Sequence, residues 1–312
     1  MFEMEWIVVR MIALMLCVSW AAVLMAEETK GPAAQTLRWK WEKGQKLPYE
    51  LRQNITIEQE VNGKPIETKL DVSMQFQWEV KALDEAGNGQ IEQQIKRIEF
   101  AIHAPGFEVV YDSQAANRPE DVVGKALTPV FDAMTAAPFQ LLISPLGEVK
   151  EFKLPEKLKP LLENNPAVSN LGSLFTPDGL RQFFTEALVS FPAEAATVGT
   201  KWTRTTRSPT PPLGTQELAI QFTYAGADFH AGQPAEKILL HAQLSLTPTP
   251  GSNTKVDILS QDAAGLVYFS GHLLQSRFSQ HASLSMTKAD RKVAQKIHTL
   301  STMKLMEENV AE

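Results

Sequence analysis

The chain has 312 residues, 44% of them hydrophobic, and a formal net charge of −6. That apolar share is enough to build a core, and the length allows one large domain or two small ones. The acidic balance excludes a nucleic-acid binder held by counterion release.

Residues 11–26, MIALMLCVSWAAVLMA, carry no charge and fall short of the ~20 residues a membrane span needs. Arg10 precedes the run, Glu27 and Glu28 follow it, and Ala26 offers a small residue for cleavage. It reads as a signal peptide of residues 1–26, which implies export to the periplasm or the extracellular space and no stable membrane span after cleavage. The acidic Glu3 and Glu5 leave an uncleaved anchor as the alternative. Cys17, the single cysteine, lies inside this run. The mature chain therefore has no disulfide framework, thiolate metal site or thiol nucleophile, and must be held by packing.

Residues 27–36 read as a flexible lead, 37–191 as a first β-rich half with helical cover, 192–214 as a proline-rich linker and 215–306 as a second β-rich half. Whether the halves form one continuous sheet or two is open at this stage. Leu37 to Trp41 alternates Trp39 and Trp41 with Arg38 and Lys40, as a first strand with two tryptophans turned into the core. From Tyr49 to Val80 the pattern is a long hairpin. Tyr49, Leu51, Ile55, Ile57 and Val61 share one parity, and Ile66, Leu70, Val72, Met74, Phe76, Trp78 and Val80 share another. Asn62-Gly63 suits a two-residue turn, which sets Ile55 opposite Leu70 and Leu51 opposite Met74.

A third strand runs from Ile91 to Ile102. Its apolar parity shifts between Ile95 and Ile98, so a β-bulge is expected near Lys96-Arg97. Phe107, Val109 and Tyr111 make a fourth strand. Residues 119–134 change to helical spacing, with Pro119 at the first helical position and Pro129 as a kink or break. Phe139 to Ile143 and Val149 to Phe152 flank a tight turn at Ser144-Pro145-Leu146-Gly147. Leu154 to Leu162 reads as a short helix that ends at Asn164-Asn165-Pro166. Thr176-Pro177 starts another, with Leu180, Phe183, Phe184, Ala187 and Leu188 on one stripe. That stripe is either core packing or the lid of an apolar pocket.

Strands resume at Leu218 to Tyr224, Ile238 to Leu246, Val256 to Ile258, Leu266 to Phe269 and Leu274 to Met286. Residues 291–306 fit strand or helix. A turn at Ala289-Asp290 favours the strand, and would set His281 opposite His298 on the polar face. A faint echo links AGNGQIEQQIKRIEF (86–100) with AGQPAEKILLHAQLSL (231–246), and GFEVVYDS (106–113) with GLVYFSG (265–271).

LRWKWEKGQKLPYEL (37–51), the Trp78–Val80 strand end, YDS (111–113), PVFDAMTAAPFQLLISPLGEVKEFKLPEKL (129–158) and the G-x-x-W-T of 199–203 together resemble an uncharacterised family of exported bacterial proteins, classed as a domain of unknown function. The long half-wet strands with apolar helices are also similar in architecture to lipoprotein-carrier (LolA-like) half-barrels. The resemblance brings no catalytic residues. No nucleophile elbow and no H-E-x-x-H spacing occurs, so neither a catalytic site nor a cofactor is expected.

The expected fold is α+β: a large, curved, mainly antiparallel sheet, half-barrel-like, with amphipathic helices over its apolar face. Met74, Phe76, Trp78, Phe131, Met134, Phe183, Phe184, Phe222 and Tyr224 are candidates for that face or a pocket in it. His281 and His298 are a weak candidate metal pair without a third ligand. The function expected is non-catalytic binding of a lipid or other apolar small molecule, or of an envelope protein. The alternatives are an interaction module with a filled core and a hydrolase with an unrecognised site.

Overall fold

A computed structural model describes residues 34–61, 64–163, 176–210, 214–249, 254–288 and 291–307. The signal segment 1–26, most of the lead, and the turns at Asn62-Gly63, Asn164-Asn165-Pro166 and Ala289-Asp290 lie outside those residues.

Twelve strands make one open, mostly antiparallel sheet. They are β1 (Lys46–Val61), β2 (Lys64–Leu83), β3 (Gly89–Ala104), β4 (Phe107–Asp112), β5 (Phe139–Ile143), β6 (Val149–Lys153), β7 (Lys201–Thr210), β8 (Gly214–His230), β9 (Gln233–Thr247), β10 (Thr254–Phe269), β11 (Leu273–Lys288) and β12 (Arg291–Leu305). The order across the sheet is β6-β5-β3-β2-β1-β12-β11-β10-β9-β8-β7, with β4 extending the far end of β3. Both halves of the sequence thus join through the β1–β12 pair, where Tyr49 faces Leu305 and Ile57 faces Ile297.

Alternation sets the register. In the opening hairpin Ile55 faces Leu70, Leu51 faces Met74 and Val61 faces Lys64, as the pattern requires. The parity change in β3 is a bulge: Gln75 pairs Arg97 and Phe76 pairs Ile95, which leaves Lys96 as the extra residue. The ambiguous tail is strand β12, and His281 stands opposite His298. Strands of 15 to 20 residues, as β2 and β12 are, cannot stay flat, because each carries the right-handed twist of its chain.

Several expectations are corrected. Residues 36–42 are not a strand. They form an extended strap tied by Gln35 to Ala196, by Trp39 N–H to Pro145 O (2.9 Å) and by Lys40 N–H to Gly271 O (2.7 Å). Trp39 and Trp41 are buried all the same, stacked at 5.1 Å with Trp78 and Phe269 around them. Within the proline-rich stretch 192–214, residues 201–210 form edge strand β7, because an edge needs donors on one side only and tolerates Pro209. Val256 to Phe269 is one strand, bulged at Leu259. The internal echo is not repeated in the pairing: β4 joins the end of β3 at Glu99–Ala104, while Ala264–Phe269 joins the start of β9.

Three helices complete the described residues: α1 (Val122–Ala136), α2 (Leu158–Glu163) and α3 (Pro177–Glu186). Helix α1 begins three residues later than Pro119. Asp121 is its cap, with a side-chain oxygen accepting from Gly124 N–H at 2.8 Å. Pro129 neither breaks nor splits it, and the residue is exposed on the helix's outer side. Phe131 seats α1 on the sheet, 5.4 Å from Phe100 and 4.8 Å from Tyr111.

Candidate functional site

Helix α3 starts where Thr176 Oγ1 accepts from Gly179 N–H (3.0 Å) and Pro177 presets the first turn. Its residues reach both free edges of the sheet. Phe184 packs at 5.0 Å on Phe139 of β5 and at 5.8 Å on Phe152 of β6. The same C-terminal turn and the residues after it are held by β7, whose inward parity carries Trp202, Arg204 and Thr206. Trp202 Nε1 donates to Ser190 O (2.6 Å). The Arg204 guanidinium donates to Leu188 O (2.7 Å), Glu186 O (3.1 Å) and Thr185 O (3.3 Å). A cation on the last carbonyls of a helix also meets the negative end of its dipole. The last turn of α3 and the residues after it thus touch both edge strands of the open sheet.

The segment after α3 is fixed as closely. Val189 O accepts from Trp39 Nε1 (2.9 Å), and Phe191 N–H donates to Leu146 O (2.9 Å). Gly147 sits against it with φ +81°; a Cβ there would lie 2.1 Å from Val189 O.

Beneath α3 lies a cavity of about 120 Å³. Leu51, Met303 and Phe278 from the middle of the sheet form one wall, with Val267, Leu240, Phe222 and Ile220 continuing it. Phe183, Ala187, Leu188 and Val189 close it from the helix side. Gly265, opposite Phe278, leaves room where a side chain would crowd Arg277 O and Leu240. Polar side chains also line it, Ser276, Arg277 and Thr302 of the sheet among them. Gln53 Nε2 donates to Ser301 Oγ (3.2 Å), and Glu186 and Arg204 stand at the α3 wall.

Glu186 Oε1 accepts from Gln182 Nε2 (2.7 Å) and Thr206 Oγ1 (3.1 Å). Burial raises its carboxyl above the ordinary value of 4.5, against the opposing pull of those bonds and of Arg204. Sequence reasoning missed both Glu186 and Arg204. The signal was the alternation Trp202, Arg204, Thr206, Ser208 within a stretch whose prolines suggested a linker.

Of the nine apolar candidates, Phe183 and Phe222 line the cavity. Met74, Phe76, Trp78, Phe131, Met134, Phe184 and Tyr224 sit in the core instead. Tyr224 also hydrogen-bonds Glu236, and burial raises its phenol. His281 and His298 stack at 4.1 Å on the outer face, beside an open hollow with Glu58, Asp262 and Lys296. Burial and His281 push the His298 imidazole down. Among the described residues no group of three or more histidine or carboxylate side chains could hold a metal ion. No described helix is long and apolar enough to cross a membrane.

The fold and cavity define a class: an open, curved antiparallel sheet with a few helices against it. Within that class, residues 86–225 match a family of unknown function (DUF6263). That agrees with the resemblance seen in the sequence. No curated protein matches the chain. Among solved structures, DynF from the dynemicin biosynthesis pathway of Micromonospora chersina is similar at 7% identity, with a TM-score of 0.21, over 94% of this chain and 96% of that one. An outer membrane channel from Pseudomonas putida F1 is similar at 8% identity, with a TM-score of 0.25, over 89% and 100%. A domain described as an outer membrane lipoprotein-sorting protein domain, from Vibrio parahaemolyticus, is similar at 10% identity, with a TM-score of 0.15, over 84% and 88%.

Proposed function

We propose that the protein is an exported, non-catalytic binding protein that takes an apolar ligand into the cavity beneath α3. The observation that carries this is a cavity between α3 and the sheet whose exposed lining is mostly apolar. Size limits the ligand. The cavity of about 120 Å³ is well below the about 300–1,000 Å³ of sites for drug-sized molecules. It is close to the ~150 Å³ of an engineered cavity that stays dry and holds benzene. A small apolar molecule, or the last few carbons of a lipid chain, fits at rest. A whole acyl chain exceeds that volume. Export rests on the apolar run 11–26.

Native mass spectrometry tests the reading on protein secreted to the periplasm, purified without detergent and then incubated with lipid extract. A bound molecule of defined mass at one per chain is expected. A polypeptide that stays bare after incubation, and with small apolar probes such as benzene, overturns it.

A further inference from the structure

The outer face of the sheet carries a second hollow, apart from the cavity under α3. Strand pairing lays four of its residues in one row. Thr56 of β1 stands opposite His298 of β12, His298 opposite His281 of β11, and His281 opposite Asp262 of β10. The two imidazoles stack at 4.1 Å, with their planes 13° apart. Both side chains are exposed, and among the described residues neither makes a hydrogen bond. His103, by contrast, is paired through Nδ1 with Glu108 at 3.0 Å, and His230 lies on Tyr268. The hollow has a volume of about 420 Å³, and its charged lining besides the pair is Glu58, Asp262 and Lys296. Desolvation by its surroundings and the charge of His281 push the His298 imidazole down, which favours the neutral form that coordinates metals.

We propose that His281 and His298 together bind one divalent cation, copper(II) above all, with water in the remaining coordination positions. The site has two protein ligands, not three, so its affinity comes from the pairing. Two nitrogens in neighbouring positions on one ion, each at about 2.0–2.1 Å, stand about 3 Å apart. A small tilt of two exposed rings already stacked at 4.1 Å closes that distance. The strand ladder has placed both rings side by side, so little ordering is left for the ion to impose. Imidazole suits copper, nickel and zinc, and copper(II) leads that series at a given set of donors. Charge agrees: Asp262 and Glu58 favour a cation in the hollow, and Lys296 alone among its lining residues opposes one. The ion bridges β11 and β12, beside the β1–β12 pair that joins the halves of the chain.

Calorimetric titration of the untagged protein with copper(II), zinc(II) and nickel(II) salts tests this. One copper(II) per chain is expected, bound more tightly than either other ion. His281→Ala and His298→Ala should each weaken it at least about tenfold, since even an outer partner of a metal ligand is worth about 10–100-fold. His103→Ala and His230→Ala should leave it unchanged. Electron paramagnetic resonance of the wild-type complex should show two imidazole nitrogens on the copper, a signature that ring stacking alone does not produce. Copper binding that survives the loss of either ring, several weak ions spread over the other histidines, a single imidazole in the spectrum, or no binding at all overturns the proposal. The wild-type spectrum decides the matter even if a variant does not fold.

Discussion

At the scale of single residues, two positions show how closely the parts around α3 are fitted. Gly147 carries φ +81° and has Val189 O where a Cβ would be. Gly106 has a similar φ of +77° but open space around it. Gly106→Ala should cost about 1 kcal/mol for left-handed backbone alone. Gly147→Ala adds a collision with backbone and should cost at least about 2 kcal/mol, lowering Tm by roughly 4–8 °C. Equal melting temperatures for the two variants would contradict the close approach. Glu186 gives a pH signature. Its folded carboxyl binds a proton more tightly than the unfolded one, so its own contribution to stability is fully present below the ordinary value of 4.5 and is lost as pH rises through the raised folded value. Glu186→Gln removes that titration. The variant's stability relative to wild type should therefore rise from pH 4 to pH 8 in urea melts, and a pH-independent difference would contradict the burial of the charge.

At the scale of elements, the strands were legible and their neighbours were not. Strict alternation from Tyr49 to Val80 fixes which residues face each other, because a one-residue slip would turn the whole apolar set to water. The bulge at Lys96 was readable for the same reason, as a break in a count of two. The strap 36–42 misled because two buried tryptophans at alternate positions look alike in a strand and in an extended segment tied by backbone bonds to loops. Strand β7 was hidden by composition: its outer parity is Lys201, Thr203, Thr205 and Arg207, as an edge exposed to solvent should be. The cavity was legible only as a stripe on α3, since the β7 side chains that complete its wall come from a stretch without a hydrophobic pattern. Arg204→Ala tests the attachment of α3 to that edge. The variant leaves three carbonyls at the helix end without their charged donor, worth about 1.5–3 kcal/mol locally. Amide exchange of residues 180–190 should quicken tenfold or more while β1, β2 and β12 keep wild-type protection. Unchanged exchange there would show that the Arg204 bonds do not hold α3 to that edge.

At the scale of the molecule, one sheet starts and ends beside its own first strand. β1 and β12 lie in the middle, and α3 with the segment that follows it packs on Phe152 of edge strand β6 and accepts hydrogen bonds from Arg204 of edge strand β7. The same arrangement makes the helix the one wall of the cavity that can move without breaking the strand ladder.

The most direct test of this account is to fill the cavity. Leu240 lines it from β9 and is only half-buried, so Leu240→Phe adds volume into space rather than into packed neighbours. Calorimetric titration with benzene, alongside a thermal melt, should show binding to the wild type, a loss of at least tenfold in the variant, and a melting temperature that is unchanged or higher. Benzene bound equally well by both proteins would place the apolar ligand elsewhere and contradict the site.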